Sequence, residues 1–200
     1  MNEVKKIDEL KDLECVSYCN LKEETITSFD HYIEFQNCTF EKIIFDGNFE
    51  GIRFQNVKFK ECCFSNSNFY GSSFINVIFE SCNLIGTDMS GSTCIDVSIL
   101  SSKSNYSNFN DSTMKHVKLM ESDFSEASLS RVKLEQVILK NNRFIKADFH
   151  NTSLKSIDFR TNEIEGIFVN LADLKGAIVT PNQAVCFFPL LGLTIKEENE

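Results

Sequence analysis

The sequence predicts an all-β solenoid whose coils hold twenty residues on four short sides. From Phe49 to Val179 a bulky apolar residue returns at every fifth position without insertion or deletion, a period that belongs to neither a helix nor a strand. Two residues before each of these centres stands a small or β-branched side chain, as at Ser67, Ser72, Thr87, Ser92, Ala127, Ala147 and Thr152. Every fourth member of that second series gives Val57, Val77, Val97, Val117, Val137 and Ile157, so like residues recur with a period of twenty. Side chains two apart in each five therefore point inward, and similar ones stack from coil to coil.

Residues 1–24 are dense in charge. Ile7, Leu10 and Leu13 are spaced for one face of a short helix, so this stretch reads as an N-terminal cap or a frayed segment. The solenoid is placed at residues 25–180. Its first centres, Phe35, Phe40 and Phe45, join the later series through one four-residue step, and fifteen of the nineteen Phe residues lie on the series, which makes Phe the filling of the axis. Ser104 alone breaks the set of centres. Thirty centres make about seven and a half coils, a rod of roughly 36 Å at a rise of roughly 4.8 Å per coil.

Residues 181–200 form the C-terminal segment. Thr180 suits a helix N-cap, Pro181 the first helical position and Gly192 a C-cap, so a short helix is expected up to Leu191, with Pro189 bending or ending its last turn. Phe187, Phe188, Leu190, Leu191, Leu193 and Ile195 offer more apolar surface than one narrow coil can cover. They are the candidate interface of a symmetric dimer.

The triplets Ser67-Asn68-Phe69, Thr87-Asp88-Met89, Ser107-Asn108-Phe109, Ser122-Asp123-Phe124, Ala147-Asp148-Phe149 and Ala172-Asp173-Leu174 resemble the signature of the pentapeptide-repeat proteins. The resemblance implies a right-handed quadrilateral β-helix. The runs 174–184 and 191–195 resemble the C-terminal segment of the Qnr type of this family, in its loop-free form. That further resemblance implies a dimer junction at this end, and a rod that mimics duplex DNA, binds DNA gyrase or another type II topoisomerase, and protects it from quinolones. A structural or adaptor solenoid docking another bacterial protein is the alternative.

Composition limits the chemistry. The inward thiols Cys38, Cys62 and Cys82 and the centre Cys94 read as core residues, and a coil rise is longer than the roughly 3.8 Å between Cβ atoms that a disulfide prefers. Cys15 and Cys19 lack the further ligands of a zinc site, so no metal and no cofactor is expected. His31, His116 and His150 fall on different parts of the rod, no triad assembles around them, and no glycine-rich phosphate cradle occurs. An enzyme is not expected. No apolar run approaches the roughly 18 residues of a membrane span and no secretory leader stands at the start, which points to the cytoplasm.

The net charge is −9, which repels nucleic acid. Residues 1–48 hold eleven acidic and five basic side chains, whereas residues 49–179 sum to −1, so the acidity gathers toward the N-terminal end. Within the repeat, the side built on Phe49, Phe69, Met89, Phe109, Leu129, Phe149 and Val169 carries Glu50, Asp88, Asp111 and Asp148 against Arg131 alone. These four acids are the candidate DNA-mimicking face. The next side, with Arg53, Lys115, Lys133, Lys155 and Lys175, is basic.

Overall fold

The computed structural model describes residues 13–29 and 32–192. The chain winds as a four-sided β-solenoid. Its strands are β1 (Cys15–Ser17), β2 (Asn20–Lys22), β3 (Thr25–Ile26), β4 (Glu34–Gln36), β5 (Thr39–Glu41), β6 (Ile44–Phe45), β7 (Arg53–Lys60), β8 (Ser73–Glu80), β9 (Thr93–Ile95), β10 (Ser98–Leu100), β11 (Thr113–Lys115), β12 (Lys118–Met120), β13 (Lys133–Glu135) and β14 (Ile138–Lys140). All pairings are parallel, and each joins one coil to the next. Phe54 lies over Phe74, Val57 over Val77 and Phe59 over Phe79, a step of twenty that matches the sequence period.

We number the sides by their centres: the first holds Phe49 and Phe69, the second Phe54 and Phe74, the third Phe59 and Phe79, and the fourth Phe64, Leu84 and Ser104. Sides two and three carry the strands, except β3 and β6, which pair on side four below Phe64. Sides one and four are tied by single parallel bridges such as Asn68↔Asp88 and Asn83↔Lys103. The difference lies in the turn. On sides one and four the chain closes on itself at the corner, as in Ser72 N–H to Phe69 O at 3.1 Å and Thr87 N–H to Leu84 O at 3.2 Å. On sides two and three it stays extended. The second residue after most centres is left-handed, and this is the bend that fits a corner into five residues; Asn56, Asn76, Asp96, His116 and Gln136 take it on side two.

The solenoid starts earlier than residue 25. β1 pairs with β4 and β2 with β5, so Val16 stacks under Phe35 and Leu21 under Phe40, both fully buried. Residues 15–24 are therefore coil, not a cap or a fray. The register steps here by nineteen, because each of these coils holds a four-residue side. At Gly47, φ +141°, a Cβ would collide with the carbonyl oxygen of Thr27, so the shortened side needs glycine there. Ile7 and Leu10 lie outside the described residues, while Leu13 is an exposed flanking residue.

Rings from successive coils stack nearly face to face: Phe45 and Phe64 at 4.7 Å and 7°, Phe49 and Phe69 at 5.0 Å and 16°. Rings from neighbouring sides meet edge to face, as in Phe54 with Phe59 at 81°. Such pairs add about 0.5–1.5 kcal/mol each beyond the burial itself. The small inward residues do more than fit corners. In the column Cys82, Ser102, Ser122, Asn142, Asn162 each of the first four backbone N–H groups donates to the side-chain oxygen one coil on, at 2.9–3.1 Å. An extended corner leaves that N–H without a backbone acceptor, and a polar side chain supplies one. All eight cysteines are free. Burial pushes the Cys94 thiol up to about 11.

At the C-terminal end, α1 (Pro181–Val185) stops early and is followed by a 3-10 helix, Phe188–Leu191, closed by Gly192 in the left-handed conformation. Pro189 sits in the first turn of that second helix, so the proline opens a new turn where the sequence suggested the end of a longer helix.

Candidate docking surfaces

The Asp or Asn that precedes so many centres has a local task. Its side-chain oxygen accepts the N–H two residues on, in an Asx turn: Asn68 from Tyr70, Asp88 from Ser90, Asn108 from Asn110, Asp148 from His150 and Asp123 from Ser125. The signature therefore encodes the corner.

This bears on the four acids predicted to face a partner. Glu50 and Asp88 make no ion pair among the described residues, although Asp88 Oδ1 also accepts the Ser90 hydroxyl at 2.6 Å. Asp111 is gripped by Arg131 one coil on, Nε to Oδ1 at 2.7 Å and Nη2 to Oδ2 at 2.8 Å. The hydrogen bonds from that guanidinium hold the Asp111 carboxyl below its ordinary range. Asp148 lies 2.7 Å from Nδ1 of His150, whose ring stacks on Phe168 at 6.3 Å. Two of the four, Asp111 and Asp148, are thus already engaged within the chain. The signal was readable, since Asp111 and Arg131 stand twenty residues apart, as do Lys115 with Glu135, Asp96 with His116, and Arg143 with both Asp123 and Glu163.

Of the predicted dimer residues, Phe187 packs against the core as a lid on the last coil. Phe188, Leu190 and Leu191 are exposed, together with Val185, Ile178 and Leu171, and form an apolar end to the rod. Leu193 and Ile195 lie outside the described residues. Gln183 anchors this end: its Nε2 donates to the carbonyls of Phe159 at 2.8 Å and Asn162 at 2.7 Å, while its Oε1 accepts the Thr180 N–H. The otherwise unpaired Asn162 carbonyl of the last coil and the orphan N–H of the helix start are satisfied by one side chain.

A second feature escaped the sequence entirely. From Leu154 onward sides two and three adopt the closed turn, with Ile157 N–H on Leu154 O at 3.0 Å and Asn162 N–H on Phe159 O at 2.8 Å. An extended side and a closed side do not present matching groups. Among the described residues no backbone hydrogen bond joins residues 133–141 to residues 153–160, whereas sides one and four continue across the same level through Ser128↔Asp148 and Arg143↔Glu163. Side chains lace the corners instead: Thr152 accepts from Val132, Thr161 from Asn141 and Asn162 from Asn142. Leu134 and Val137, an axial centre and an inward residue, are left half-buried, Leu134 beside a groove of about 720 Å³. Val137 thus departs from the buried valine column predicted from the period of twenty.

Two family descriptions match the sequence, "Pentapeptide repeat region" over residues 52–123 and "Pentapeptide repeats (8 copies)" over residues 122–160. The chain belongs to the pentapeptide-repeat family. No curated protein matches it in sequence. Among solved structures, this pentapeptide-repeat chain is similar to a trypsin-treated form of QnrB1, described as a plasmid-mediated fluoroquinolone resistance protein, at 17% identity over 90% of this chain and 99% of that one, with a TM-score of 0.49. It is also similar to HetL, a pentapeptide-repeat protein involved in heterocyst differentiation regulation from the cyanobacterium Nostoc, at 13% identity over 82% of this chain and 84% of that one, with a TM-score of 0.41. Neither likeness bears on function. Among the described residues of this pentapeptide-repeat chain no three His, Cys, Asp or Glu side chains gather as metal ligands, and no helix is long and apolar enough to cross a membrane.

Proposed function

We propose that the chain works in the cytoplasm by binding rather than catalysis. In this reading it is a dimer joined at its C-terminal end, which enters the DNA channel of a type II topoisomerase, DNA gyrase or topoisomerase IV, and protects it from quinolones. The observation that carries the reading is the end of the rod. The last coil is closed by Gln183 and Phe187, yet Phe188, Leu190 and Leu191 remain exposed beyond that closure. A cap that only sealed the core would turn such residues inward. A two-fold pairing buries the same patch on both copies, and the sequence of this end resembles the Qnr junction. Two rods in line span about 70 Å, close to about 20 base pairs of duplex. The net charge of −9 suits a channel lined by Lys and Arg.

The test is supercoiling by purified gyrase in the presence of a quinolone, with the protein added in increasing amounts. Recovery of supercoiling is the expected result. No recovery at any concentration, together with no gyrase binding at low salt, removes this reading.

The pairing of Asp111 with Arg131 and of Asp148 with His150 favours the second reading, an adaptor rod docking another bacterial protein. A face whose acids are engaged internally has less field to offer a cationic channel. The same titration separates the two.

A further inference from the structure

The seam between residues 133–141 and 153–160 presents what the rest of the solenoid hides, a strand edge with no partner. Below it, every strand on sides two and three has a neighbour in the following coil. β13 pairs only with β11, and β14 only with β12. The backbone groups that would face upward, among them the N–H groups of Leu134 and Gln136, have no backbone partner among the described residues. An unpaired edge is a template for another strand. Most natural edges are protected by charge or by a covering loop, whereas this one opens into the groove of about 720 Å³.

The charge around the groove has one sign. Of its charged lining residues, Arg131, Lys133, Glu135 and Lys155, the acid is engaged, Glu135 with Lys115 at 3.0 Å. Lys133 and Lys155 line it, are exposed and make no ion pair among the described residues. Half-buried Leu134 supplies the apolar contact between them.

We propose that the seam is the docking site of an extended, carboxylate-bearing peptide segment of a partner protein. Its backbone completes the ladder along β13, and its acidic side chains meet Lys133 and Lys155. Main-chain hydrogen bonds supply attachment in such strand addition, and the alternate side chains supply selectivity. About five residues, at roughly 3.3 Å each, follow one side of the coil. The site is separate from the C-terminal end and does not depend on the identity of any partner bound there.

The test uses the full chain and three labelled octapeptides: alternating Val and Glu, the same peptide with Lys for Glu, and a Val/Glu peptide with Pro at alternate positions to remove N–H donors. Fluorescence anisotropy is expected to give saturable binding of the Val/Glu peptide alone, weakened at least tenfold in the K133E/K155E double variant. Hydrogen exchange is expected to find the amides of Leu134 and Gln136 fast in the free protein and slowed by that peptide. Equal binding of the Glu and Lys peptides, unchanged binding by the double variant, or no binding overturns the proposal. So does slow exchange of both amides without peptide, which would mean that the seam is closed or filled by a second copy of the chain.

Discussion

Arg131 holds Asp111 in a two-pronged ion pair across one coil, at 2.7 and 2.8 Å. Both side chains are more than half exposed, so water and salt screen the pair and its share of the folding energy is small. Its effect is on the surface field. Arg131→Ala is expected to leave the melting temperature at neutral pH almost unchanged while returning the Asp111 carboxyl to its ordinary range, read by carbon NMR titration. If gyrase is the partner, the variant binds it more tightly at low salt and with a steeper salt dependence, because one more carboxylate is free.

Acid lability follows from the same type of contact. The carboxyls of Asp111, Asp158, Glu41 and Glu80 are all held below their ordinary values, first by hydrogen bonds from Arg131, Arg160, Lys22 and Lys58 in turn. A depressed folded-state value contributes stability above the unfolded value, and that contribution is lost as pH falls through the folded one. Melting temperature is expected to be flat from neutral pH to about 5 and to fall below about 4. A profile that stayed flat to pH 2 would mean that the pairs do not persist in solution.

Cys94 works in the opposite direction. Its folded-state value of about 11 exceeds the ordinary 9.0, so the folded protein keeps a proton that the unfolded chain gives up. The stabilisation is complete below pH 9 and declines as pH rises toward 11. Cys94→Ala should flatten the alkaline limb of the melting profile, at the cost of a somewhat lower melting temperature at pH 7.

Ser104 is the one centre that is not bulky. It stands fully buried on the fourth side, between Leu84 and Phe124, and its hydroxyl has no hydrogen-bond partner. An unsatisfied buried hydroxyl costs about 1–3 kcal/mol. Replacing it with an apolar side chain of similar size removes that cost and leaves the Ser107 N–H to Ser104 O bond in place. Ser104→Ala is expected to stabilise the chain by about 1 kcal/mol in urea unfolding. A loss of stability would indicate a buried water bound at that hydroxyl.

How much of this was legible from the residues depends on where periodicity carries information. Phe54, Phe74, Val77 and Phe79 announce their inward position because stacking repeats the same demand coil after coil. Val16 and Leu21 carry the same demand at a step of nineteen from Phe35 and Phe40, in smaller residues among charges, which makes residues 1–24 read as a cap or fray. The Asx role of Asp88 and Asp148 is a property of the corner geometry that composition does not display. The seam was invisible: Leu134 and Leu154 occupy the same column with the same residue, and only the turn that follows each distinguishes an extended side from a closed one.

The exposed end gives the final prediction. Phe188, Leu190 and Leu191 lie beyond the lid formed by Phe187, on a 3-10 turn whose backbone is held by Gly192 N–H to Pro189 O at 3.0 Å. None of the three is buried, so exchanging them for serine removes little of the folded chain's own packing. The triple variant is expected to melt as a monomer with its coils intact, and to halve the mass seen by light scattering relative to the parent chain. Gln183→Ala should do the reverse. It leaves the carbonyl of Asn162 without a donor, while that of Phe159 keeps the Asn162 N–H; the change costs about 1–3 kcal/mol and loosens the last coil in hydrogen exchange, while the apolar patch itself is unchanged. A parent chain that is already monomeric would place the function of this end elsewhere. A dimer that survives the triple serine exchange would place the junction on one of the four sides.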